Sequence, residues 1–145
     1  MVDDLPKESE LPVDSIAERW GAGVDAGFIA VPNMLVKAQA RLGVSPIDIV
    51  VLLNIIMHWW HRDRRPSPRS TAIAKRSGLG HRTVQRSLRK LEGLGLIRRI
   101  RVSRDRTEYS LDGLKNRLEF YAEHDVWYRP ELTTGAAQKA SRPPG

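Results

Sequence analysis

A four-residue break, Ser77-Gly78-Leu79-Gly80, constrains this chain more than any other feature. Glycine takes the left-handed conformations that other residues resist, so two glycines around a leucine end the preceding helix and redirect the chain. Ser70 to Arg76 reads as a short helix before the break, and His81 to Glu92 as a longer one after it. In the longer helix Val84, Leu88 and Leu91 share one face. Arg82, Gln85, Arg86 and Arg89 recur at i, i+3, i+4 and i+7 on the face nearly opposite. Gly78 is therefore expected at positive φ, Leu79 as the apolar plug of the turn, and the basic face is expected to stand clear.

The flanking sequence extends the pattern. Asn33 to Leu42 has helical spacing and stops at Gly43. Ser45, Pro46 and Asp48 then form a capping-box signature for a helix running to about Trp60. That helix is apolar on nearly every side, which predicts a central position packed all round, with Trp59 and Trp60 filling core. Beyond the basic helix, Gly93 and Gly95 are stops, Leu96 to Val102 reads as a strand, Ser103 to Arg106 as a hairpin tip and Thr107 to Leu111 as the partner strand. Leu111, Leu114, Leu118 and Tyr121 resume helical spacing. The expected organisation is a flexible acidic arm over 1–27, a folded domain over 28–111, a C-terminal helix over 112–132 and a disordered tail over 133–145.

Charge follows the same division. The formal net charge is +7, yet residues 62–106 alone hold fifteen bases against three acids, while residues 1–27 hold two bases against seven. A block of one sign inside a folding sequence points to a polyanion-binding face. No cysteine is present, which excludes disulfides, thiol catalysis and cysteine-ligated metal. The apolar run from Ile49 to Trp60 falls short of the ~20 residues that cross a bilayer. With no basic, apolar leader at the start, a cytoplasmic protein without membrane association is expected.

Short helix, glycine turn, basic helix and hairpin, in that order, describe a mainly α helix-turn-helix with a β-hairpin wing on a three-helix core, with flanking helices and flexible termini. Residues 77–99, SGLGHRTVQRSLRKLEGLGLIRR, resemble the recognition segment of bacterial winged helix-turn-helix proteins. They are similar to MarR-like and GntR-like regulators and to the small helix-turn-helix domains of plasmid and phage replication or regulatory proteins. Gly80 stands where such proteins usually carry a serine or asparagine cap. The resemblance implies binding of double-stranded DNA.

A B-form major groove admits one helix, and arginine pairs with guanine as glutamine does with adenine. Arg82, Gln85, Arg86 and Arg89 are therefore expected at base edges and flanking phosphates, with Thr83 and Lys90 on the backbone. Arg69 and His81 at the helix starts, and Arg101, Arg104 and Arg106 of the wing, complete the expected contact set. Leu111, Leu114, Leu118 and Tyr121 are expected either to form a homodimer seam or to pack on the domain itself. His58 and His61 lack the company a metal site needs, and no clustered nucleophile or base is present, so neither cofactor nor catalysis is expected. The reading is a transcriptional regulator. Its alternatives are a plasmid or phage replication-initiation or partition accessory protein at origin DNA, and an interaction module for an acidic protein or RNA.

Overall fold

The computed structural model describes residues 13–124, which divide into two units between Ala30 and Val31. In the first, Val13–Trp20 forms helix α1, continued by a 3-10 turn over Gly21–Val24. The sequence reading expected no helix in this acidic stretch. Phe28, expected to open the folded domain, belongs to this first unit, so the domain begins at Val31.

The second unit opens with α2 (Asn33–Lys37) and α3 (Gln39–Leu42), the single helix expected there being kinked at Ala38. Bonds of the i→i−4 type continue on both sides of the kink, Ala38 N–H to Met34 and Leu42 N–H to Ala38, at 2.9 Å each. Gly43 closes this segment at φ 81°. Helix α4 (Pro46–Ile56) then starts on the expected capping box. Ser45 Oγ accepts from the Asp48 amide at 3.1 Å, and Asp48 Oδ2 accepts from the Ser45 amide at 2.8 Å.

Val51, Leu52 and Ile55 place α4 in the core. Its opposite side is open, with Ile47 and Val50 exposed, so it is not packed all round as its composition suggested. It also ends at Ile56, short of Trp60. Amides of His58 and Trp59 bond three residues back, tightening the last turn and turning the chain away. Trp59 still packs on the core, but Trp60 is 77% exposed and fills none of it.

Helix α5 (Ser70–Ser77) ends at Gly78 with φ 74°, and α6 (His81–Gly93) starts at Gly80, as the glycine break predicts. Val84, Leu88 and Leu91 lie fully inside, with half-buried Leu79 packed against the same core. Strands β1 (Arg98–Ser103) and β2 (Arg106–Ser110) pair antiparallel, with an irregularity between Arg101 and Ser103. The Tyr109 amide donates to the Pro66 carbonyl at 2.9 Å, tying the hairpin to the connector between α4 and α5.

The chain returns through α7 (Asp112–His124), which packs against α2. Leu111, Leu114, Leu118 and Tyr121 are 3–7% exposed and belong to the domain's own core, and Arg41 lies over the Tyr121 ring at 4.4 Å. Of the two placements expected for these four residues, the structure shows packing on the domain itself. A side chain packed inside its own subunit offers no surface to a second one. Helix α7 is also not a separate element, since it completes the core of the preceding domain. The root of the hairpin is backbone on backbone: the Leu114 amide donates to Leu96 O at 2.9 Å, and a Cβ on Gly113 would collide with the Gly95 carbonyl. Expectations for 1–12, for 133–145 and for the C-terminal helix beyond His124 lie outside the described residues.

Candidate nucleic-acid interface

With Val84, Ser87, Leu88 and Leu91 turned inward, the period of 3.6 residues aims Arg82, Arg86 and Arg89 away from the core, and all three are exposed. None has an ion pair among the described residues. Beside this ridge, a groove of about 640 Å³ runs between the N-terminus of α5, the flank of α6 and the hairpin. Arg69, Arg101, Arg104 and Arg106 all line it. Basic side chains from three separate elements thus border one concavity.

The expected contact residues divide by what already holds them. Arg69, Arg82, Arg86, Arg89 and Arg104 are exposed, and no side-chain hydrogen bond engages them among the described residues. Arg101 reaches across the hairpin tip, donating to the Arg104 carbonyl at 2.9 Å. Arg106 is shared with Glu108, whose carboxylate also takes Arg65 at 3.1 Å. Thr83 is half-buried on the flank of α6 opposite Gln85.

Lys90 already has a partner within the protein. Its ammonium does not stand free for a backbone phosphate but lies 2.7 Å from Oδ2 of Asp48, a carboxylate with only 3% of its side chain exposed. Ser87 Oγ donates to the other oxygen at 2.7 Å. Burial alone pushes the Asp48 carboxyl up; Lys90, the Ser45 amide, Ser87 and the Ser45 hydroxyl together outweigh it and hold the group below the ordinary carboxylate range. The apolar face of α6 carried no signal for this pair, because its partner lies 42 residues away in sequence.

Gln85 and His81 are also engaged. Gln85 Nε2 donates to Ser70 Oγ at 3.1 Å and lies 3.2 Å from His81 Nε2, while Ser70 Oγ lies 3.1 Å from the same ring nitrogen. Ser70, which sequence reading passed over, joins the site from the first turn of α5. Ser67 and Thr71 line the groove beside it.

The hairpin is held at its base by Glu92. Its carboxylate accepts from Arg99 Nε at 3.0 Å and Nη2 at 2.9 Å and from the Arg99 amide at 3.2 Å. The backbone bond first, then the guanidinium, lowers the Glu92 carboxyl below its usual range. Glu92 thus ties the end of α6 to the start of the hairpin, one oxygen taking the Arg99 guanidinium and the other its backbone amide.

Two helices joined by a glycine turn, the second with an arginine ridge, followed by a two-stranded hairpin, settle the architecture. This is a winged helix-turn-helix domain. Residues 42–97 match the family model described as a helix-turn-helix domain, which spans α4 to the start of the wing. Among solved structures the chain is similar to the N-terminal domain of DnaD protein from Geobacillus kaustophilus HTA426. The identity is 21% and the TM-score 0.56, over 84% of this chain and all of that one. Looser overlays are found with the transcriptional regulator PA3341 (26% identity, TM-score 0.40, covering 88% of this chain and 85% of that one) and with a MarR-family regulator from Silicibacter pomeroyi (17%, 0.41, 88% and 81%). No curated protein matches. The resemblance to winged helix-turn-helix proteins drawn from residues 77–99 is borne out.

Among the described residues no cluster of three His, Cys, Asp or Glu side chains is placed to hold a metal ion. His58 Nε2 is buried without a hydrogen-bond partner, and burial, then the nearby Arg76, lowers its pKa. No helix of the described residues is long and apolar enough to cross a membrane.

Proposed function

We propose that this protein binds double-stranded DNA sequence-specifically, without catalysis, as a transcriptional regulator. The observation that carries the reading is the arginine ridge of α6, Arg82, Arg86 and Arg89, standing exposed beside a groove walled by Arg69 and the wing arginines. A helix of this width enters the major groove, where arginine pairs bidentately with guanine. The wing and the start of α5 then lie over the flanking sugar-phosphate strands.

Selection of bound duplexes from a random pool, followed by mapping of the selected sequence and of the protein across its genome, tests this. Enrichment of one motif concentrated at promoters supports it. Enrichment confined to an origin assigns the same interface to replication. Equal retention of every duplex, with no slope against salt, overturns it.

A further inference from the structure

Gln85 is the one expected base-reading residue that the protein itself holds by hydrogen bonds from another helix. Its amide nitrogen donates to Ser70 Oγ at 3.1 Å and lies 3.2 Å from His81 Nε2, which accepts the second N–H when the ring proton is on Nδ1. The Ser70 hydroxyl lies within bonding reach of the same ring nitrogen, closing a three-membered network between the starts of α5 and α6. Gln85 Oε1 accepts no hydrogen bond among the described residues, and the side chain borders the groove. A free glutamine offers one donor and one acceptor, the pair that grips adenine at N7 and N6. In that tautomer both amide N–H groups have acceptors, and only the carbonyl oxygen is left for a base.

We infer that Ser70 and His81 are positioning residues that convert Gln85 into a one-sided acceptor, which selects, on the strand it faces, a base carrying an amino group in the major groove. Adenine N6 and cytosine N4 are the two such donors; guanine and thymine present acceptors there. The position facing Gln85 is therefore A or C, with little choice between them, instead of the adenine that an unrestrained glutamine selects. This inference rests on the DNA-binding reading above and adds the identity of one contacted base.

The test is selection from random duplexes with the full chain and five variants, each checked for folding by circular dichroism. Wild type is expected to show one position occupied by A and C within about threefold of each other. Gln85→Leu erases the preference there. Gln85→Glu, which has acceptors only, keeps the same two letters at lower overall affinity. Ser70→Ala combined with His81→Ala releases the amide and narrows the position to A by about tenfold, the worth of one added hydrogen bond. Ser70→Ala narrows it in the same direction, and Ser70→Thr, which retains the hydroxyl, restores the wild-type ratio. Guanine, thymine or adenine alone at the Gln85-dependent position of wild type overturns the inference while leaving DNA binding intact. So does a motif that Gln85→Leu does not change. No motif from wild type overturns the DNA-binding reading and this inference with it.

Discussion

Lys90 Nζ lies 2.7 Å from Asp48 Oδ2, and the same carboxylate oxygen caps α4 by accepting from the Ser45 amide. One buried charge therefore starts the central helix and anchors the recognition helix to it. Replacing Lys90 with methionine keeps the aliphatic stem and removes the cation. Because the lysine is itself half-exposed, the expected loss is modest, about 1–2 kcal/mol by chemical denaturation. The salt dependence of DNA binding should stay at the wild-type slope, since this ammonium already has a partner. A slope lower by about one would return Lys90 to the phosphate contacts.

The same carboxylate gives stability a direction in pH. Asp48 is held below its ordinary value in the folded protein, so the unfolded chain binds its proton first as pH falls. Its contribution is fully present above the unfolded value of about 3.9 and is lost as pH drops through the lower folded value. Asp48→Asn should flatten the acid limb of the stability curve measured between pH 5 and about 2, while lowering stability at neutral pH.

Leu118 separates a core stripe from a dimer seam. It is 7% exposed and packed among the residues that α7 adds to the domain. Leu118→Asp should bury an unpaired charge and cost several kcal/mol, seen as loss of the cooperative thermal transition. A folded variant with an unchanged midpoint would show the stripe to be dispensable to the core.

Arg86 and Arg104 should fail differently. Arg86→Ala removes an exposed ridge side chain and is expected to relax discrimination at one base position by about 1–3 kcal/mol. Arg104→Ala, at the wing tip, should weaken all duplexes alike and reduce the salt slope by about one. Competition titrations against single-base variants of the selected motif distinguish the two patterns.

Gly113 allows no side chain. A methyl group there would meet the Gly95 carbonyl, which is backbone and cannot rotate aside. Gly113→Ala should destabilise by about 1–3 kcal/mol or more. Gly93→Ala, with open space around its Cβ position, serves as the control in the same melts.

What the sequence made readable was local. Gly78 at positive φ, the Ser45–Asp48 capping box and the two faces of α6 each depend on residues within a turn or two of one another, and each is found as expected. Elements decided by distant contacts were less legible. The Val, Leu and Ile run of α4 looked buried all round, yet one side is left open at Ile47 and Val50. The three-and-four spacing on α7 fitted a seam as well as a core, because periodicity reports that a face is covered and not by what. Lys90 and Gln85 looked like free groove-facing groups until Asp48 and Ser70 were brought beside them by the fold.

Three acids near the interface are matched to cations, Asp48 to Lys90, Glu92 to Arg99, and Glu108 to Arg65 and Arg106, while Asp105 at the wing tip has no ion pair among the described residues. Neutralisation at the root leaves the positive charge of the ridge and groove concentrated toward one side of the domain. Such an arrangement acts at a distance. A polyanion's field exerts a torque on it before any contact forms, so diffusional encounters begin with the recognition helix already turned toward the duplex. Orientation during approach thus depends on ion pairs as well as on the side chains that make the contacts.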